Sequence, residues 1–168
     1  AISAHDLHRT YMQLLSAALS PGTPGRIWNE LIEKAESAPA DTDNFAAIFA
    51  RDTTIAHRHW LSANERRAHA QRAWSDLFNN VDVVLAPVQP VAAFPHDTER
   101  PYGKRTLDVN GADVPYWSIL FWAGLATMPH LPSVAIPIGQ TSDGLPVGMQ
   151  LIGPKWSDHK ILSIGEEI

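Results

Sequence analysis

Apolar positions recur at helical spacing through the first half of the chain. Leu7, Tyr11, Leu14, Leu15 and Ala18 share one face of a helix predicted over residues 3–19, and Ser20-Pro21-Gly22 ends it. Trp28, Leu31, Ile32 and Ala35 mark a second helix, with Pro24 at its first helical position, where a missing N–H is not needed. Residues 37–44 read as a loop and Phe45 to Asp52 as a short helix. Ser62 and Glu65 then have capping-box spacing and open a longer helix whose apolar stripe is Ala70, Ala73, Trp74, Leu77 and Phe78.

The period changes after Asn79-Asn80. Val81-Asp82-Val83-Val84-Leu85-Ala86 is β-branched and almost wholly apolar, a buried strand closed by Pro87 and Pro90. Asn110-Gly111 sits between 106–109 and 112–114 as a two-residue hairpin turn. Tyr116 to Ala126 reads as an apolar helix. Ser133 to Ile138 and Val147 to Ile152 are strands joined through Asp143-Gly144, and a last helix starts at Asp158. The fold class is therefore α/β, with residues 1–80 mainly helical and 81–168 carrying core strands and helices.

The three principal strands are apolar on both alternating faces, which is the composition of strands covered by helices above and below. Three such strands make an incomplete sheet. Leaving about five of their side chains in water would forfeit on the order of 10 kcal/mol, comparable to the net stability of a domain. Missing strands or a second copy are expected to cover them, so the strand at 81–86 should be shielded by another molecule or partly disordered.

Composition narrows the function. Of 168 residues, 13 are Lys or Arg and 18 are Asp or Glu, and the net charge of −5 argues against a nucleic-acid or acidic-membrane partner, both of which require a basic footprint. A length of 168 residues suits one domain. Absence of cysteine excludes disulfides, thiolate metal sites and a cysteine nucleophile, and favours a cytoplasmic setting. The opening Ala1-Ile2-Ser3-Ala4-His5-Asp6 does not read as a signal peptide. The uncharged stretch between Asp113 and Asp143 is cut by Pro115, Pro129, Pro132 and Pro137 into pieces too short to span a bilayer.

Strong catalytic signatures are missing: there is no Gly-x-Ser-x-Gly elbow, Walker A loop, dinucleotide fingerprint or His-Glu-x-x-His. Ser157-Asp158-His159-Lys160 has the Ser-x-x-Lys spacing, yet a serine opening a final helix reads more simply as its cap. His57 and His59 would share a strand face but diverge by about 200° on a helix, and no third metal ligand is spaced to them. His96-Asp97 reads as polar loop, and His130 as a core or pocket-rim residue. Arg58, Arg66, Arg67 and Arg72, with Trp60 and Trp74, read as a solvated helix face beside core aromatics. In the cluster Tyr116, Trp117, Phe121, Trp122, the side chains of Trp117 and Phe121 are the candidates for lining an apolar substrate pocket.

Three segments together resemble one family. Asp82-Val83-Val84-Leu85-Ala86-Pro87-Val88-Gln89-Pro90-Val91-Ala92 resembles a core strand with a Pro-x-x-Pro exit, and Ala135-Ile136-Pro137-Ile138-Gly139 the next core strand. Asp143-Gly144-Leu145-Pro146-Val147-Gly148-Met149-Gln150-Leu151-Ile152-Gly153 is similar to the C-terminal signature of the amidase signature hydrolases. The resemblance implies a longer protein, an α/β/α sandwich around a mixed β-sheet, and cofactor-free hydrolysis of a carboxamide C–N bond. It implies a nucleophilic serine, a second serine held by a cis peptide and a neutral lysine, with oxyanion-binding N–H groups from a Gly/Ser-rich loop. None of Lys34, Lys104, Lys155 or Lys160 lies in such a context, so no catalytic residue carries over. The chain is thereby expected to be the C-terminal part of an amidase domain, inactive alone. Its partners would be the N-terminal half of the same protein and a small amide substrate. Two rival readings are a non-catalytic binding or assembly module on the same fold and part of a tRNA-dependent amidotransferase complex.

Overall fold

A computed structural model of the chain describes residues 3–168; Ala1 and Ile2, part of the stretch read above for a leader, lie outside them. The described residues group into two compact units, 3–69 and 70–168.

The first unit is helical. α1 (Ala4–Ala18) is capped by Ser3, whose Oγ accepts the Asp6 N–H at 3.1 Å. α2 (Gly25–Ser37) follows with Pro24 at its N-cap, one position earlier than predicted. α3 (Phe45–Thr53) is capped by Asn44, whose Oδ1 accepts the Ala47 N–H at 3.1 Å, and packs against both earlier helices. An ion pair ties this unit together: Arg9 reaches Asp52 through two bonds, at 2.5 and 2.8 Å, where the Asp52 residue is 1% exposed. The fork geometry matches two guanidinium N–H groups to two carboxylate oxygens, the arrangement that best offsets burying the charge.

The next helix, α4 (His57–Leu77), begins well before Ser62. The predicted capping box does not form. Ala56 O accepts from the N–H groups of His59 and Trp60, while Ser62 Oγ donates back to Arg58 O at 3.2 Å as a mid-helix serine does. Of the predicted stripe, Ala70 is buried and Trp74 and Phe78 are half-buried and stacked at 5.7 Å, but Ala73 and Leu77 are exposed.

The second unit holds a three-stranded antiparallel sheet in the order β1 (Val84–Pro87), β5 (Pro146–Ile152), β4 (Ser133–Gln140) and a hairpin of β2 (Thr106–Val109) with β3 (Ala112–Pro115). Every pairing among the described residues is antiparallel, so the mixed character implied by the resemblance is not visible within these strands. The first strand starts three residues later than predicted and runs into Pro87. Asn110 (φ 54°) and Gly111 (φ 82°) both occupy the left-handed region that a type I′ turn requires, as their dipeptide predicts. Residues 116–126 split into a 3₁₀ turn at Tyr116–Ile119 and α5 (Leu120–Thr127).

Register explains the layering. Val84, Ala86, Gln150 and Ile152 share one face, where Ala86 and Ile152 form a core with Ala126, Trp74, Phe78, Trp122, Leu125 and Leu131 from α5, its exit and the end of α4. Leu151, Val134 and Ile136 share the other, against which α6 (Asp158–Glu167) lies on β4 and β5. The unit is thus an α/β/α sandwich in miniature. Gly153 makes the α6 contact feasible, because a Cβ there would fall inside the radii of Ile161 Cγ2 and Ser157 Oγ. Leu85 shares the α6 face but lies in the edge strand, where it stays 51% exposed; Ile138 is 53% exposed.

Inside this apolar core sits one glutamine. Gln150 is 6% exposed, and its Nε2 donates to Pro87 O at 2.8 Å and Trp122 O at 3.0 Å while its Oε1 accepts from Ser133 Oγ at 3.0 Å. One side chain therefore joins the exit of β1, α5 and the start of β4. Gln150→Leu should keep the volume but strand two carbonyls, lowering the unfolding free energy in urea by about 2–4 kcal/mol. Asp52→Ala should cost about 2 kcal/mol, below the range for fully buried pairs because Arg9 is partly solvated. Hydrogen exchange should locate that loss in α1 and α3, with protection of the sheet unchanged.

Candidate functional site

The serine–lysine pair is resolved by its hydrogen bonds. Ser157 occupies the N-cap position of α6, but its hydroxyl donates to Pro154 O at 2.7 Å and makes no side-chain cap bond. The predicted cap is therefore correct in place and wrong in bonding: the tight turn from Pro154 presents a nearer carbonyl. Lys160 Nζ donates to Asp82 Oδ1 at 2.6 Å, and that bond holds the Asp82 carboxyl below its ordinary range. A cationic lysine held by a carboxylate has no lone pair with which to accept a serine proton. Lys155 lies over the Trp156 ring, 5.2 Å from its centroid. Among the described residues no hydrogen bond joins a lysine amine to a serine hydroxyl.

The histidines disperse. His57 opens α4 and stacks on Trp60 at 6.2 Å, and on that helix His59 points away from it. Asp97 turns to Arg100, accepting its backbone N–H at 3.0 Å and its Nε at 2.6 Å, rather than to His96. The bond from the Arg100 N–H leads the causes that lower the Asp97 carboxyl. His130 is exposed and in the left-handed region (φ 60°), which excludes the core alternative of its core or pocket-rim reading: the chain turns there between α5 and β4. Among the described residues no group of three acidic or imidazole side chains could hold a metal ion, and no helix is long and apolar enough to cross a membrane. Arg66 is not simply solvated, since it donates to Thr10 Oγ1 at 3.2 Å and Gln13 Oε1 at 2.6 Å.

Trp117 and Phe121, the predicted pocket-wall pair, enter different aromatic groups. Trp117 closes a row of rings: Phe94 meets Tyr116 at 6.0 Å, Tyr116 meets Tyr102 at 5.1 Å, and Tyr102 meets Trp117 at 4.4 Å, all edge to face. Phe121 packs edge-on against the core residue Trp122 at 5.0 Å. Both predicted residues are half-buried. Phe94, Tyr102 and Arg105 belong to no periodic pattern in the sequence. They are isolated in the sequence, and only the fold of the 91–105 segment brings them to Tyr116. The one signal was the aromatic and basic character of Tyr102-Gly103-Lys104-Arg105 just before a hairpin. Arg105 lies over Tyr102, 5.3 Å from the ring centroid, and burial raises the Tyr102 hydroxyl.

Two concavities flank this region. A cavity of about 1230 Å³ lies under the 91–100 loop, with Phe94, Arg105 and Tyr116 in its wall. An apolar groove of about 640 Å³ runs past Leu85, Val88, Ile138 and Met149. Neither contains a serine or a lysine. The arrangement can bind and enclose, without the serine and lysine that the resemblance implies.

Comparison with known proteins places the chain in a family. The chain is 26% identical over 147 residues to one subunit of the glutamyl-tRNA(Gln) amidotransferase of Natronomonas pharaonis, covering 84% of this chain and 32% of the relative. It is 34% identical over 111 residues to a Mycobacterium tuberculosis protein that carries the provisional name amidase AmiA2, covering 64% of this chain and 21% of the relative. The chain thus spans about a third or less of the length of these relatives. A solved amidase structure superposes with a TM-score of 0.66 at 20% identity, covering 95% of this chain and 34% of the other, which establishes the fold. The family model for amidases matches residues 13–162, and the chain belongs to the amidase family.

Proposed function

We propose that this chain is the C-terminal portion of a cytoplasmic, cofactor-free enzyme that hydrolyses the C–N bond of a small carboxamide. In this reading it supplies sheet, core and substrate wall and does not act alone. The observation that carries the reading is the engagement of the Ser-x-x-Lys pair: the Ser157 hydroxyl is committed to Pro154 and the Lys160 amine to Asp82, so no activated nucleophile is assembled. The half-exposed Leu85 and Ile138, on a sheet of only three strands, support completion by the N-terminal half of the same protein. A second copy of the chain is the other means of covering them.

Trp117 and Phe121 are proposed as part of the wall that faces the amide's substituent. Both are half-buried rather than sealed in the core, and each is braced by a perpendicular ring, which fixes its orientation at low entropic cost. The likeness to one component of an amidotransferase over 84% of the chain supports a second reading, in which the complete protein works within an amidotransferase assembly. A non-catalytic module is the third, and it predicts no hydrolysis even when the N-terminal half is supplied.

The 168-residue chain, incubated with simple aliphatic and aryl amides and with a serine-directed fluorophosphonate probe, should show no turnover and no labelling. Labelling of Ser157 that is lost in Ser157→Ala would overturn the proposal. Co-expression with the upstream coding segment should restore hydrolysis in the enzyme reading. In that complex Trp117→Ala should raise KM by about tenfold, the loss of one buried ring contact, with a smaller change in kcat.

A further inference from the structure

The cavity under the 91–100 loop has a chemistry that hydrolysis does not explain. Its wall combines an arginine fork with two perpendicular rings. Arg105 Nε donates to Arg100 O at 3.0 Å, and the guanidinium lies over Tyr102, so the group is held from one edge and one face. Its two terminal nitrogens make no hydrogen bond among the described residues, which leaves the fork edge available where it lines the cavity. Arg100, by contrast, is committed to Asp97 and to Thr106 Oγ1 at 3.1 Å. Phe94 and Tyr116 stand edge to face at 6.0 Å in the same wall, and Phe94 is 36% exposed.

We propose that this cavity binds a planar aromatic carboxylate, with Arg105 as its charge partner and Phe94 and Tyr116 as its ring contacts. A guanidinium fork pairs with two coplanar oxygens, and aromatic edges favour a flat ring beside them. The acidic groups in the wall set the ligand's charge. Asp97 is paired with Arg100 and is also held below its ordinary range by the charge of Arg105, while Asp108 accepts the Gly111 N–H at 2.7 Å within the hairpin turn and keeps its charge. Glu99 and Asp108 remain beside Arg105, and their repulsion disfavours a phosphate dianion more than a monoanion. The proposal does not depend on amide hydrolysis, because binding is read without turnover. The acid can be a free ligand or a group borne by the amide substrate, and the chemistry recognised is the same.

Titration of the chain by calorimetry with benzoate, benzamide and cyclohexanecarboxylate tests this. Benzoate should bind saturably at low salt, weaken as salt rises, and exceed benzamide by about tenfold, with cyclohexanecarboxylate between them. Arg105→Gln should weaken benzoate about tenfold and abolish its advantage over benzamide; Arg105→Lys should fall between wild type and Gln. Glu99→Gln should tighten benzoate severalfold. 4-Carbamoylbenzoate separates the sources: with the complete protein it should be bound and hydrolysed if the acid belongs to the substrate, and bound intact if it is a separate ligand. Equal affinity for benzoate and benzamide, or benzoate binding untouched by Arg105→Gln in a variant with wild-type circular dichroism, overturns the proposal. So does the absence of saturable benzoate binding.

Discussion

Everything in the second unit depends on the burial of β5 between two other strands. Leu151 and Ile152 have no exposed surface, and they face opposite sides of the sheet. A strand that places large side chains into two cores at once cannot shift by one residue without reversing both. Gln150 fixes the register further, because its amide must meet the carbonyls of Pro87 and Trp122 together. A buried amide is stabilising only when its partners are in place, so this residue specifies position more than it adds net energy. Through it the exit of β1 and the entry of α5 keep a fixed separation. Those two segments lead into the loop and the aromatic row that would carry the proposed recognition.

The sequence made the elements legible wherever a local rule was enough. Asn110-Gly111 specified its hairpin, and the apolar strand pattern located β4 and β5, because each is set by backbone geometry over a few residues. Competing local rules misled at Ser62. Its spacing to Glu65 satisfies a capping box, but a helix that has already started at His57 leaves no free N–H groups for a cap to receive. Ser157 failed in the opposite sense. It stands where a cap belongs, yet the carbonyl of Pro154 competes for its hydroxyl. The apolar neighbours of His130 suggest a core or pocket-rim position. Backbone direction excludes the core, turning it outward at a left-handed residue between Pro129 and Leu131.

Candidate chemistry was legible in a more limited way. Lys160 cannot be paired with Asp82 by inspection, since 78 positions separate them. Likewise the ring row needs Phe94 and Tyr102, both from a segment with no periodic pattern, beside Tyr116 and Trp117. Family resemblance identified the fold and the family, whereas the fate of individual polar groups required coordinates. The first unit shows the same limit: Arg9 and Asp52 lie 43 positions apart and pair only because α1 and α3 bring them together.

The open edges of the sheet bear on what completes it. Both edge strands contain proline, at Pro87 and Pro137, and β4 also changes register between Pro137 and Gly139. Proline within a sheet is tolerated where its missing N–H faces away from the existing partner, so a strand added beside Pro137 would find no donor there. Bulges and prolines are the devices by which edges resist indiscriminate pairing. Edge-to-edge stacking of identical chains is therefore disfavoured, although Leu85 and Ile138 still call for cover. A segment that covers the apolar groove on its face meets that requirement without needing the blocked donors. This is the role the N-terminal half would have in the proposed enzyme, and it places the completing contact at side chains rather than at a continuous backbone ladder.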